Sequence, residues 1–185
     1  AFAEHGARVF IASRDLEKCT AFAEHVIEKF PSAEAHAFGV DITDPPSIHK
    51  LMEEVGAMTG GGLDILVNSA WSGRKNTFET ITDEDWDFDI EIGLNGPFRS
   101  IKAAFPMLKQ RRGNILSIAS MYGHVAPDYR LYESETLANP PSYGAAKAGV
   151  IQITKYLASF LSPYGIRANC ISPGPFPYES TQKEN

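Results

Sequence analysis

Cysteine and positive charge are both scarce in this sequence, and each shortage excludes something. Cys19 and Cys170 are the only cysteines among 185 residues. They lie far apart, with no Cys-x-x-Cys and no His-Glu-x-x-His, so neither a disulfide framework nor a zinc site is indicated, and no metal is expected. Lys and Arg number 17 against 23 Asp and Glu, a formal net charge of -6. That balance argues against a nucleic-acid or anionic-membrane surface, both of which need a basic field. No apolar run reaches membrane-spanning length. The first residues show no basic segment followed by an apolar core, so a cytoplasmic location is expected. No serine stands in a Gly-x-Ser-x-Gly turn, which removes one common hydrolase architecture. What remains is ordinary globular composition, 43% hydrophobic and 22% charged, with a small molecule as the expected partner.

Short β-branched or apolar runs recur at 8–13, 35–40, 63–68, 114–119 and 166–171, each bounded by turn residues. Helical stretches fall at 15–30, 45–58, 83–111 and 143–161. Strict strand and helix alternation predicts an α/β fold, a doubly wound parallel sheet in three α/β/α layers. Ala1 to Ala7 reads as the last turns of a helix closed by Gly6. Asn95-Gly96-Pro97 puts three poor helix formers inside the long third helix, which predicts either a kink or a loop boundary.

In such sheets ligands bind beyond the carboxyl ends of the strands. After the first strand stand Ser13 and Arg14; an arginine there accommodates a 2′-phosphate and favours NADP(H) over NAD(H), while a solvated loop residue beside Asp15 is the alternative. After the second come Asp41, Ile42, Thr43 and Asp44, of which Asp44 caps the next helix. After the third come Asn68, Ser69, Ala70 and Trp71, where small residues let a cofactor approach the backbone. After the fourth stands Ser120, and after the fifth the rigid turn Ser172-Pro173-Gly174-Pro175.

Within Ser142-Tyr143-Gly144-Ala145-Ala146-Lys147, a phenol and an ammonium stand four residues apart on a helix. A nearby positive charge favours phenolate, so such a tyrosine suits general acid–base work on an alcohol or ketone. Of seven tyrosines only Tyr143 has a lysine at this spacing.

Taken in order, these residues resemble the short-chain dehydrogenase/reductase family over nearly the whole chain. The resemblance implies a catalytic set of Asn95, Ser120, Tyr143 and Lys147, with Asn95 anchoring a water that passes protons to Lys147. It implies cofactor contacts from Ser13, Arg14, Asp41, Ile42, Asn68, Ser69, Ala70, Tyr143, Lys147, Pro173 and Gly174. The reaction implied is hydride transfer between NADP(H) and a carbonyl or alcohol carbon, in a homodimer or homotetramer packed through the third and fourth helices.

Several departures carry expectations of their own. The family's Gly-rich turn and the central strand before it are absent, so residues 1–185 are expected to form one Rossmann-like domain incomplete at both ends, with a gap in the sheet, two exposed apolar edges and weak cofactor binding. Serine and tryptophan replace the family's second asparagine and glycine at Ser69 and Trp71. Tyr178 stands where a carboxamide-contacting threonine is frequent, and that role is not carried to Thr181. The segment between Ser120 and Tyr143 is long; with Tyr122 and Arg130 it is expected to form a polar, aromatic substrate rim. Its wording resembles gluconate 5-dehydrogenases and polysaccharide- or flagellin-modification oxidoreductases, hence a small polar, sugar-derived substrate. Two other readings stay open at this point, an idle dinucleotide-binding or regulatory protein and a sugar-nucleotide epimerase of the extended type.

Overall fold

In the computed structural model of the chain, residues 1–175 are described; Tyr178 and Thr181 lie outside them. Five strands alternate with helices: β1 (Val9–Ser13), α1 (Leu16–Lys29), β2 (Ala35–Gly39), α2 (Pro45–Thr59), β3 (Ile65–Asn68), α3 (Asp83–Ile90), α4 (Gly96–Arg111), β4 (Asn114–Ile118), α5 (Pro141–Phe160) and β5 (Arg167–Ile171). Every strand pairing is parallel. The alternation read from the sequence is thus a Rossmann-like α/β fold.

Local chemistry sets most boundaries. The Asp15 side chain accepts from Lys18 N–H at the start of α1, Asp44 from Ser47 N–H at α2 and Thr82 from Asp85 N–H at α3, each satisfying an orphan donor of the first turn. Gly6 closes the 3₁₀ turn Ala3–His5 at φ 81°, a left-handed conformation that glycine adopts without steric cost. Pro140 and Pro141 open α5, two residues before Tyr143, where a missing N–H costs nothing.

The third helix is not continuous. Between α3 and α4, Glu91–Asn95 forms a π turn. Pro97 has no N–H to offer the carbonyl four residues back, so the ladder slips by one residue there. The expected interruption is therefore a bulge within a helix, and it rotates the residues on either side relative to one another.

The strands form two separate groups, β1-β2 and β3-β4-β5. Among the described residues neither β1 nor β3 has a partner on its second edge. Between those edges lies a cavity of about 1070 Å³, lined from one side by Val9, Phe10 and Ala12 and from the other by Ile65, Leu66 and Val67. Ile65 and Val67 are each 40% exposed. The gap and the two apolar edges expected from the sequence are present.

The continuous core belongs to the three-stranded group. Ile101, Ala104 and Leu108 of α4, Ile115 of β4, Leu157 of α5, Leu161, Ile166 and Ala168 of β5 form one buried cluster. Burying a side chain of leucine or isoleucine size stabilises by roughly 1.5–3 kcal/mol, so this cluster anchors β4 between α4 and α5.

Candidate active site

The carboxyl ends of β4 and β5 and the first turns of α5 converge. Ser120, 6% exposed, follows β4 and opens a 3₁₀ turn, Met121–Gly123, where its Oγ accepts from Tyr122 N–H at 3.2 Å. Because Oγ is the acceptor there, the hydroxyl proton is left to donate elsewhere. That turn rests on α5: a Cβ on Gly123 would come within 2.9 Å of the Lys147 backbone, and one on Gly144 within 3.1 Å of Tyr122 O. Only glycines allow so close an approach. From the other side Met121 N–H donates to Pro173 O at 3.1 Å, which brings the Pro173-Gly174 turn against the turn carrying Ser120.

Lys147 is buried, and its Nζ donates to Ile118 O at 2.7 Å. Burial disfavours the charged form and pushes the ammonium below its ordinary lysine value. Nζ also lies 5.6 Å from the centre of the Tyr143 ring and 5.4 Å from that of Trp71. Trp71 and Tyr143 pack edge to face, ring centres 4.7 Å apart. Ser120, Tyr143, Lys147 and the Pro173 turn are therefore brought together at one end of the sheet.

A buried carboxylate holds this end of α5 in place. Asp89 of α3 is fully buried and accepts from Ser142 Oγ at 2.5 Å and from Arg74 N–H at 3.2 Å. The bond ties α3 to the residue before Tyr143, in the first turn of α5. Sequence reasoning missed Asp89, since one acid among several in the run from Asp83 to Asp89 carries no mark of burial.

Asn95 bonds within its own segment. Its amide donates to Glu91 Oε2 at 2.6 Å, and Arg99 engages the same carboxylate. Arg99, then Asn95, hold the Glu91 carboxyl below its ordinary value. Gly93 and Leu94 of this segment both pack on α5: a Cβ on Gly93 would meet Ala146 Cβ at 2.8 Å and Trp71 at 2.5 Å, and the Leu94 side chain lies against Gly149.

The rim residues divide. The Tyr122 hydroxyl is hydrogen-bonded to that of Tyr132, and this bond, burial and the nearby Tyr132 and Tyr143 phenols push Tyr122 up to about 12. Tyr122 thus stands beside Tyr143 as a neutral hydroxyl. Arg130 instead is exposed and forked onto Asp128, at 2.9 and 2.7 Å, so its guanidinium faces solvent with its charge already matched.

The expected cofactor residues lie along the cavity between β1 and β3: Ser13, Ile42, Asn68, Ser69 and Ala70 all line it. Asn68 Nδ2 is buried there without a hydrogen-bond partner among the described residues, a donor suited to a ribose or carboxamide oxygen. Arg14 is exposed and forms no ion pair among the described residues; the Asp41 carboxyl is held below its ordinary value by the Thr43 hydroxyl, then Thr43 N–H, with Arg14 contributing. The residues fit the ribose and adenine portions of a dinucleotide. A diphosphate seat is not among them, because the N-termini of α1 and α2 are already capped by Asp15 and Asp44. Among the described residues no cluster of three His, Cys, Asp or Glu could hold a metal ion, and no helix is long and apolar enough to cross a membrane.

A parallel sheet with ligand residues at its carboxyl ends and a Tyr-x-x-x-Lys helix beside a buried serine defines a dinucleotide-dependent oxidoreductase class. Comparison with known proteins narrows it. A family described as enoyl-(acyl carrier protein) reductase matches residues 1–184. The chain is 35% identical over 151 residues to the 3-oxoacyl-(acyl-carrier-protein) reductase FabG of Escherichia coli, covering 80% of this chain and 57% of that protein. It is 35% identical over 178 residues to trans-4-hydroxycyclohexanecarboxylate dehydrogenase of Sinomonas cyclohexanicum, covering 93% and 64%. The crystal structure of a short chain dehydrogenase from Mycobacterium smegmatis superposes with a TM-score of 0.81 at 26% identity, over 93% of this chain and 68% of that one. The chain belongs to the short-chain dehydrogenase/reductase family, and it spans somewhat more than half the length of the two curated relatives described.

Proposed function

We propose that this chain carries the proton-transfer half of an NADP(H)-dependent oxidoreductase acting on the carbonyl or alcohol carbon of a small polar substrate. The observation that carries the reading is the convergence of Tyr143, buried Lys147 and buried Ser120 at the carboxyl end of β4. When bound, the nicotinamide supplies or takes the hydride. The protein's part is to manage charge on the substrate oxygen. Tyr143 donates its phenolic proton to that oxygen in reduction and takes it back in oxidation. Ser120, whose Oγ already accepts from Tyr122 N–H, turns its own proton toward the same oxygen. Lys147 spends one donor on Ile118 O and keeps two, one facing the phenol and one for cofactor ribose hydroxyls.

Ser13, Asn68, Ser69 and Ala70 would hold the dinucleotide along the cavity, and exposed Arg14 would meet a 2′-phosphate, which favours NADP(H). Two named relatives act on, respectively, a 3-oxoacyl carrier and a ring alcohol bearing a carboxylate; both support a carbonyl or secondary alcohol as the reacting group. A sugar-derived alcohol meets the hydroxyl-rich rim of Tyr122 and Tyr132. The exposed, stacked Tyr156 and Phe160 on α5 support self-association through that helix into a dimer or tetramer.

The test is a screen of the protein against polyols, sugar acids and ketoacids with NADP and NAD, followed by Tyr143→Phe. Turnover should fall about 10²–10⁴-fold, the usual share of a general acid, with cofactor affinity retained. A variant that keeps turnover would overturn the reading, and product without net oxidation would point to an epimerase.

A further inference from the structure

Trp71 is the largest side chain against the Tyr143–Lys147 pair, and hydride transfer as described makes no use of it. Its indole meets the Tyr143 ring edge to face at 4.7 Å and turns toward Lys147 Nζ at 5.4 Å. Two glycines make room for it. A Cβ on Gly93 would come within 2.5 Å of Trp71 Cζ3, and a Cβ on Gly73 would also overlap the indole. Gly93 is buried in the π turn, backed by Ala146 of α5, so that side of the seat is rigid. An aromatic quadrupole favours both contacts, its face attracting the ammonium and edge-to-face packing fixing the phenol ring.

We propose that Trp71, seated between Gly73 and Gly93, is a positioning residue that fixes the Tyr143 ring and holds the Lys147 ammonium. The inference rests on the proposed function for its catalytic consequence but not for its geometry. Burial alone works against charge on Lys147; an aromatic face beside Nζ works the other way.

The experiment has a spectroscopic arm and a kinetic arm. In a Trp86→Phe background Trp71 is the sole tryptophan. Lys147→Met should then raise its emission, because an ammonium near an indole quenches it, while Lys155→Met should not. Emission indifferent to Lys147→Met overturns the proposal, whatever the enzyme does. In the kinetic arm Trp71→Leu should lower kcat about 10- to 100-fold, the range a small misplacement of reacting groups costs, with the Kd for NADPH unchanged. Trp71→Phe, which keeps a face and an edge, should recover most of the loss. A loss confined to NADPH affinity, or no loss of kcat, overturns it. Should Tyr143→Phe keep its turnover, the proposed function fails instead, and the emission result still decides where Trp71 sits. If Trp71→Leu does not fold, the emission arm on the native indole carries the decision.

Discussion

The β3-β4-β5 half of the sheet and the β1-β2 half differ in how far each satisfies itself. In the first, α4, β4, α5 and β5 close around one apolar cluster, and Ser120, Tyr143 and Lys147 are each held by bonds or packing that originate within that half or in α3. In the second, β1 faces β3 across a cavity and the N-termini of α1 and α2 are both stopped by aspartates. The difference separates two jobs. Proton transfer depends on contacts already made, whereas cofactor binding depends on surfaces that still face open space.

The sharpest way to break that comparison is Lys147→Met. If the three-stranded half is complete, kcat falls about 10²–10⁴-fold and the fold survives. It should survive better than before. The Lys147 pKa is lowered by burial, so the unfolded chain binds the proton more tightly, and the cost of burying the charge persists at every pH below the folded value and fades as pH rises toward 10.5. At neutral pH the methionine removes that cost and Tm rises, at about 2–4 °C per kcal/mol for a protein of this size. Scanning calorimetry showing a lower Tm would mean that the bond to Ile118 O outweighs the desolvation.

The second test acts on the open half. Supplying a parallel strand and glycine-rich turn ahead of Ala1, to lie between β1 and β3, should tighten NADPH binding by at least about tenfold, since it adds backbone donors for an anion at a helix N-terminus and covers two apolar edges. Equal affinity by titration calorimetry would show that the cavity is not where the dinucleotide lies. The longer protein should also aggregate less, because Ile65 and Val67 would no longer be exposed.

These two tests bear on what the sequence could and could not disclose. The five strands were legible because β-branched runs between turn residues have few other uses, and Tyr143, Lys147 and Ser120 because their order along an alternating fold is specific. The gap between β1 and β3 was expected too, and the two groups of strands show it. What escaped was orientation. Gly93 and Leu94 of the π turn pack on α5 while Asn95 bonds back to Glu91, a division that spacing alone does not show. Arg130 is satisfied by Asp128 two residues away, a local pairing that periodicity cannot predict. Trp71 stood in the open as a departure at a cofactor-lining position, yet only the closeness of Gly93 shows that its ring turns toward Tyr143.

Arg14→Ala sharpens the comparison on the cofactor side with a smaller effect. Loss of a guanidinium to phosphate contact is worth roughly 1.5–3 kcal/mol, so KM for NADP should rise about 10- to 100-fold while KM for NAD changes little. The Asp41 carboxyl, which Arg14 helps hold low, should move up toward its ordinary value. A parallel rise in both KM values would assign Arg14 to the shape of the loop and not to the 2′-phosphate.

Tyr132→Phe should have the smallest consequence, and it probes the rim over the complete half. Tyr122 is pushed up to about 12 first by its bond to the Tyr132 hydroxyl and then by burial. Removing that hydroxyl leaves the burial contribution, so tyrosinate absorbance near 295 nm should show one phenol titrating near 12 in the parent and lower in the variant. The sign for stability follows from the same linkage. A phenol whose folded pKa lies above its unfolded value stabilises the fold below pH 10, and the contribution is lost as pH rises from 10 through 12. The parent should therefore lose stability relative to the variant across that window and not below it. Activity near neutral pH should change by less than about fivefold, because Ser120 keeps the Tyr122 N–H bond that sets its orientation, and a hydroxyl lost at the rim is worth only about 1 kcal/mol. A larger loss of kcat would move Tyr132 from the rim into the proton-transfer set, and the contrast between a self-contained site and an open cofactor face would then have to include the long segment between β4 and α5.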